Sequence, residues 1–272
     1  LDLTEGGFVG IAELGEHLML VAGLRHDRFR ISSRNLLNSF YGRRSDSKWS
    51  PRLGLIVKPR ENVSLYASWA KSFLPQSGDQ FTVLDPVTET LAPESFRNVE
   101  AGLKWDLTPE LGLTMAAYRL DRSNTRASDP VTGNAVLSGK SRAKGFEIAL
   151  AGRLTRDWQM TAGYARQDGE VRAAITAAPA GRRLAQLPRH QLSLWSRYEV
   201  THRLGLGLGL THQSGQFATI SNAVFLPSFT RIDAAVYFKA SDALTFQLNA
   251  ENLTDRHYFP SAHTDFNIST GE

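Results

Sequence analysis

The chain has 272 residues, 42% of them hydrophobic, and carries 31 basic and 27 acidic side chains for a net charge of +4. Both signs are interspersed without a Lys/Arg block, which excludes a nucleic-acid footprint, and the lack of any cysteine excludes a disulfide framework or a thiolate metal site. The longest apolar runs, 18–24 and 204–210, hold about seven residues against the roughly 18 of a spanning helix. A helical membrane protein is thereby excluded, but not a β-barrel, whose strands turn only alternate side chains to lipid.

Period-two alternation is the dominant pattern. It predicts strands at about 7–14, 18–30, 49–58, 63–72, 96–107, 111–123, 140–153, 157–169, 189–200, 203–215, 229–240 and 243–256. In the fifth, Val99, Ala101, Leu103, Trp105 and Leu107 share one face, with Asn98, Glu100, Gly102, Lys104 and Asp106 on the other. The sixth alternates too irregularly for its faces to be assigned. Leu204–Leu210 sets Leu against Gly205, Gly207 and Gly209. Three glycines on one strand face, with no helix after them, are not a phosphate loop; they imply close approach by a plug or an inward-folded loop. Further on, Ile232, Ala234, Val236 and Phe238 oppose Arg231, Asp233, Ala235, Tyr237 and Lys239, and Leu244, Phe246, Leu248 and Ala250 oppose Thr245, Gln247, Asn249 and Glu251.

Most of these strands reach about ten residues, twice the usual length in soluble domains and enough to cross a bilayer with tilt. Their connections alternate strictly. Short polar turns fall at 15–17, 59–62, 108–110, 155–156, 201–202 and 241–242, and long Pro/Gly-bearing stretches at 31–48, 73–95, 124–139, 170–188, 216–228 and 257–272. A soluble sandwich has no reason to keep every second connection long, whereas a transmembrane barrel has tight turns on one rim and long loops on the other. Phe29, Trp49, Trp158, Phe229 and Tyr258 stand near strand ends. An interfacial girdle would place them there, and so would the general preference of aromatics for strands.

The run Leu248-Asn249-Ala250-Glu251-Asn252-Leu253-Thr254-Asp255-Arg256-His257-Tyr258-Phe259 strongly resembles the penultimate-strand motif of TonB-dependent receptors. Leu20–Phe29, Trp49–Leu55, Val63–Phe73, Lys144-Gly145-Phe146-Glu147 and Arg231-Ile232-Asp233-Ala234 match further signatures of that family in the expected order. Leu74–Gln80, Leu91–Glu94, Ser193-Leu194-Trp195, Ser221-Asn222 and Ala262-His263 look like its catecholate ferric-siderophore receptors. The resemblance implies an all-β fold: residues 1–272 would be part of an antiparallel transmembrane barrel, about twelve strands of a barrel of about 22. The chain starts at Leu1 without a leader and reaches Glu272 in a loop. On that registration the N-terminal plug, the TonB-contacting segment, the first barrel half and the closing strand are expected to lie outside it.

No catalytic constellation is present: the sequence lacks G-x-S-x-G, a P-loop and H-E-x-x-H, so it reads as no enzyme. The carboxylates Glu100, Asp106, Glu147, Glu199, Asp233 and Glu251 fall on the polar face, where they either line a solute path or pair with Lys104, Arg197 and Arg231. The seven histidines show no metal-ligand spacing. His257 and His263 share the last loop with Tyr258 and Phe266; a haem receptor would use such a histidine as an axial ligand, a surface histidine being the plainer account. The resemblance implies binding of a ferric siderophore, of catecholate type, with Phe73, Gln76, Asp79, Phe81, Phe217, Asn222, Phe225, Tyr258 and His263 as loop candidates. An anionic, aromatic-rimmed chelate favours ring stacking and Arg or Lys contact. It also implies uptake energised by TonB through the plug, an outer-membrane location among lipid, and no cofactor or metal. A passive pore and a soluble β-protein with a binding role are the competing readings.

Overall fold

The computed structural model describes residues 2–37, 39–75, 92–124, 126–128, 135–137, 139–173 and 179–271. Twelve strands form one antiparallel sheet: β1 (Asp2–Leu14), β2 (Leu18–Arg34), β3 (Tyr41–Arg60), β4 (Val63–Leu74), β5 (Glu94–Thr108), β6 (Leu111–Ser123), β9 (Lys140–Arg153), β10 (Trp158–Ala173), β11 (His190–Glu199), β12 (Leu204–Gln213), β15 (Phe229–Ser241) and β16 (Leu244–Ala250). The long connections contribute three hairpins of their own: β7 (Arg126–Ser128) with β8 (Ala135–Leu137), β13 (Gln216–Phe217) with β14 (Phe225–Leu226), and β17 (Tyr258–Ala262) with β18 (Ile268–Gly271). Every sheet strand pairs with its chain neighbours in the sheet, and β1 and β16 form the two ends of the strand order.

All twelve predicted strands are present, with different limits in places. The predicted long connection at 31–48 is mostly hairpin, since β2 and β3 stay paired up to Arg34 and Tyr41. The last predicted strand, 243–256, stops at Ala250 because Asn252 turns the chain. Its φ is +53°, its N–H donates to Asp233 Oδ1 at 2.9 Å, and its side chain holds both the N–H and the carbonyl of Arg256. The terminal residues 268–271, expected to be loop, pair with β17 instead.

Register fixes the two faces, because directly opposite residues share one. Leu65, Leu103, Met115, Ile148, Tyr164 and Leu192 form one continuous row across six strands. Ser64, Lys104, Thr114, Ala149, Gly163, Ser193, Thr211 and Arg231 form a row on the opposite face. This also assigns β6, with Leu113, Met115 and Ala117 on the apolar side. Large apolar side chains on that side stay bare, with Leu53 57%, Leu208 54% and Leu248 71% exposed, which is what a lipid solvent stabilises and water does not. Of the five aromatics near strand ends, Trp49 and Trp158 lie on the apolar face, opposite His26 and Tyr198. Phe29 and Phe229 lie on the polar face, opposite Asp46 and Gln213, so they do not belong to a lipid-side girdle.

The polar face is packed by rings laid over glycines. A Cβ at Gly102 would come 2.6 Å from the Tyr66 ring, and Tyr66 in turn donates to Glu100 at 2.6 Å. A Cβ at Gly207 or Gly209 would come 2.8 Å from the Trp195 ring, and one at Gly205 would come 2.6 Å from the Glu199 carboxylate. The glycine row therefore makes room for side chains of the neighbouring strand.

The short turns close with their own polar groups. Thr201 Oγ1 accepts from the N–H groups of Arg203 and Leu204, Thr108 and Ser241 act alike on Glu110 and Ala243, and Asn62 exchanges two hydrogen bonds with Asp106 near the end of β5.

Candidate functional site

Three long connections at the other rim are knitted into one body. The hairpin β13–β14, the hairpin β17–β18 and the segment 179–189 meet around Ala218, Leu226 and Ala262, which are 1–4% exposed and flanked by Val224, Phe259 and Ile268. Asp265 accepts Thr219 Oγ1 on one carboxylate oxygen and Ser221 Oγ on the other, both at 2.8 Å. Gln186, with φ +51°, donates its N–H to Phe217 O at 2.9 Å and its Nε2 to Ala262 O at 2.6 Å. Gln216 Nε2 donates to Pro260 O at 2.9 Å.

The last hairpin leans on the polar face of the sheet. Tyr258 stacks on Phe229, with ring centroids 4.4 Å apart and planes 26° apart, and its hydroxyl accepts from Arg231 at 3.3 Å. Arg231 also pairs with Asp233 at 3.0 Å. This layer continues downward as Arg197, which pairs with Glu199 at 2.6 Å and stacks over Tyr237 at 4.0 Å. Asp233 and Glu199 thus pair along their own strands, which is the ladder account of the polar-face carboxylates.

The structure brings Phe217, Asn222, Phe225, Tyr258 and His263 into this one rim body. Asn222 (φ +54°) fastens 179–189 to it, because its Oδ1 accepts the Arg183 N–H and its Nδ2 donates to the Arg183 carbonyl, both at 2.9 Å. Phe217 meets Phe225 edge-on at 5.3 Å and carries the Arg183 guanidinium at 5.8 Å. Burial lowers the Arg183 pKa below its ordinary value, Arg189 adds to this and Asp168 opposes it. Phe225 is 55% exposed and Phe266 90%, and His263 is exposed as well. Phe73 stands apart, on β4, against Phe29 at 5.6 Å. Gln76, Asp79 and Phe81 lie outside the described residues.

Sequence reading missed Arg183, Gln186 and Asp265, none of which sits in a periodic segment. Their only advance signal was their place in long, Pro/Gly-bearing connections. Among the described residues no three His, Asp or Glu side chains come together as a metal site.

A twelve-stranded antiparallel meander, apolar on one face, with tight turns at one rim and built loops at the other, is the frame of a barrel wall. The model for the "TonB dependent receptor-like, beta-barrel" family matches residues 11–253. The chain belongs to this family. The TonB-dependent receptors are receptors and transporters, not enzymes. Among curated relatives, the probable TonB-dependent siderophore receptor PiuA of Acinetobacter baumannii is 30% identical over 96% of this chain and 38% of its own length. The probable TonB-dependent receptor BfrD of Bordetella pertussis is 32% identical over 97% of this chain and 38% of its own. The catecholate siderophore receptor Fiu of Escherichia coli is 31% identical over 77% of this chain and 29% of its own. The crystal structure of PiuA superposes with a TM-score of 0.88 at 26% identity, over 99% of this chain and 41% of that one. The chain therefore spans well under half the length of these relatives. In such a barrel the apolar face is the outer wall and the polar face the lumen.

Proposed function

We propose that this chain is the C-terminal half of the barrel of an outer-membrane receptor that captures a ferric siderophore, of catecholate type, at its long-loop rim. The plug, the TonB-contacting segment and the closing strand belong to the rest of that protein, and TonB energises uptake through the plug. The observation that carries this reading is the rim body itself. Three long connections are cross-linked by Asn222, Gln186 and Asp265 on the lumen side of the wall, and exposed rings and a guanidinium remain on it. Such a surface offers stacking and cationic contact to an anionic, aromatic-rimmed chelate. The names of PiuA and Fiu support the ligand class.

In the full-length receptor, Phe225→Ala and Arg183→Ala should each weaken binding of a ferric tris-catecholate about tenfold, since a ring contact contributes about 0.5–1.5 kcal/mol beyond its area and a cation over a ring about as much. Tryptophan-fluorescence titration of the purified receptor measures this. Wild-type protein that ignores ferric catecholates while binding another chelate would replace the ligand class. Growth on the chelate under iron limitation that persists without TonB would favour a passive pore.

Topology is open to direct labelling, because the chain has no native cysteine. Cysteine at Phe266 should react with an impermeant maleimide on intact cells. Cysteine at Asn62 or Asp242, in short turns, should react only once the outer membrane is opened. Labelling of Asp242→Cys on intact cells would invert the orientation.

A further inference from the structure

Below the rim body, the lumen face of β11, β12 and β15 carries a column in which rings and cations alternate. Phe229, Arg231, Asp233, Ala235 and Tyr237 share that face along β15, and register sets Trp195 level with Asp233, and Arg197 level with Ala235. From the long-loop rim downward the order is the Tyr258–Phe229 stack, Arg231, Trp195, then Arg197 lying over the Tyr237 ring at 4.0 Å. From Phe229 to Tyr237 a strand advances about 26 Å, close to the roughly 25 Å of an apolar barrel band. The column thus runs the depth of the wall.

It borders a cavity of about 500 Å³, a size within the range of small-molecule sites. Trp195, Arg231, Tyr237, Gln247, Asn249 and Glu251 are part of its lining. The bare backbone of Gly207 and Gly209 lets the indole lie against the wall, since a Cβ at either would come 2.8 Å from it. The Trp195 Nε1–H and the Tyr237 hydroxyl have no hydrogen-bond partner among the described residues. Asn249 accepts Gln247 Nε2 at 2.8 Å through its carbonyl oxygen, which leaves its own amide as a donor to the cavity. The cations are already engaged. Arg231 pairs with Asp233 at 3.0 Å and Arg197 with Glu199 at 2.6 Å, each balanced along its own strand. Every step of the column therefore offers a ring face or N–H donors, with its positive charge offset.

We propose that this column is a second, shallow station for the chelate, guiding it down the lumen wall after it leaves the rim. Ring faces, N–H donors and guanidiniums over rings suit an anionic complex with aromatic edges. Weak holding is what passage requires, because a site on a conduction path must be favourable enough to enter and loose enough to leave. An unpaired guanidinium would hold a multiply charged anion fast; one paired with a carboxylate does not. This rests on the ligand class proposed above.

The test uses the full-length receptor in cells, with radioactive iron held by a synthetic tris-catecholate. Trp195→Leu fills the space over the glycines without a ring face. It should lower the maximal uptake rate about tenfold while leaving the Kd at the cell surface within about twofold of wild type. Trp195→Phe should restore most of the rate, and Gln247→Ala with Asn249→Ala should lower it about threefold. Contact is read separately. A tris-catecholate with a bromoacetyl arm should alkylate the thiol of Gln247→Cys in cells taking up iron. Ser68→Cys, also on the lumen face but eight strands away, about 38 Å along the wall, should react much more slowly. Adding Trp195→Leu should slow the reaction at position 247. Unchanged uptake by Trp195→Leu, or equal alkylation of the two cysteines, overturns the station while leaving capture at the rim intact. Slower uptake with unchanged alkylation of Gln247→Cys assigns the indole to packing of the wall and overturns the station too. If Trp195→Leu loses the heat-modifiable migration of a folded barrel, the double amide variant decides by its uptake rate and surface Kd, unchanged uptake overturning the station. Wild-type receptor that neither binds nor imports the tris-catecholate overturns the ligand class, and the station with it.

Discussion

Leu103→Arg in the full-length receptor should cost about 2–4 kcal/mol of folding stability in lipid vesicles, the range for a charge placed at the bilayer midplane on the lipid side of a barrel. Leu103 stands between Leu65 and Met115 in the middle of the apolar row. A guanidinium there has no water and no carboxylate to meet, since its cross-strand neighbours are aliphatic. Lys104, the next residue, lies on the other face between Ser64 and Thr114. Replacing it with Gln trades one polar group for another in a wet lumen, so Lys104→Gln should stay within about 0.5 kcal/mol, as for ordinary surface changes. Urea titrations of folding into vesicles compare the two. Two equal and small effects would mean that the apolar face does not meet lipid.

The face of Leu103 was legible from the sequence because strand periodicity is local. Alternation over 98–107 names both faces without reference to any partner, and the strict exchange of short and long connections names the two rims. What alternation could not reach is where a strand stops. Asn252 ends β16 through a left-handed backbone and a bond to Asp233, nineteen positions earlier, and such an ending depends on a partner brought in by the sheet. The β2–β3 hairpin runs on to Arg34 and Tyr41 for a related reason. Its upper part is polar on both faces, so no apolar period marks it, yet ladder hydrogen bonds continue.

The rim body was less legible still. Its links run between residues far apart in sequence, 76 positions for Gln186 with Ala262 and 44 for Ser221 with Asp265, and no local pattern encodes them. Two of the candidates for recognition, Asn222 and Tyr258, hold the loops together. Asn222 clasps Arg183 and Tyr258 rests on Phe229, so substituting either would loosen the platform as well as remove a contact. Phe225 and Arg183 are better probes, since one is largely bare and the other fastens the loops through its backbone.

At the opposite rim, Gly152→Ala should destabilise the barrel by about 3 kcal/mol. Gly152 has φ +136°, a backbone state that side chains rarely adopt, and a Cβ there would collide with the Glu110 carbonyl and lie 2.8 Å from Leu111 Cα. Neither neighbour can retreat. The Glu110 carbonyl is held by the Arg153 N–H at 2.9 Å, and Leu111 is paired directly with Gly152 at the start of β6. Backbone strain of this kind costs about 1–3 kcal/mol before any steric term. Gly163 provides the comparison, with no atom within 4 Å of an added Cβ and a place in the middle of β10. Gly163→Ala should change stability by no more than about 1 kcal/mol, and in the favourable direction if the unfolded chain loses freedom. Both variants keep the rim body far from the change, so the folded fraction of each should bind chelate as the wild type does. If Gly152→Ala unfolds at the same urea concentration as Gly163→Ala, the turn at Glu110 relaxes to admit a side chain and the strain assigned to it is absent.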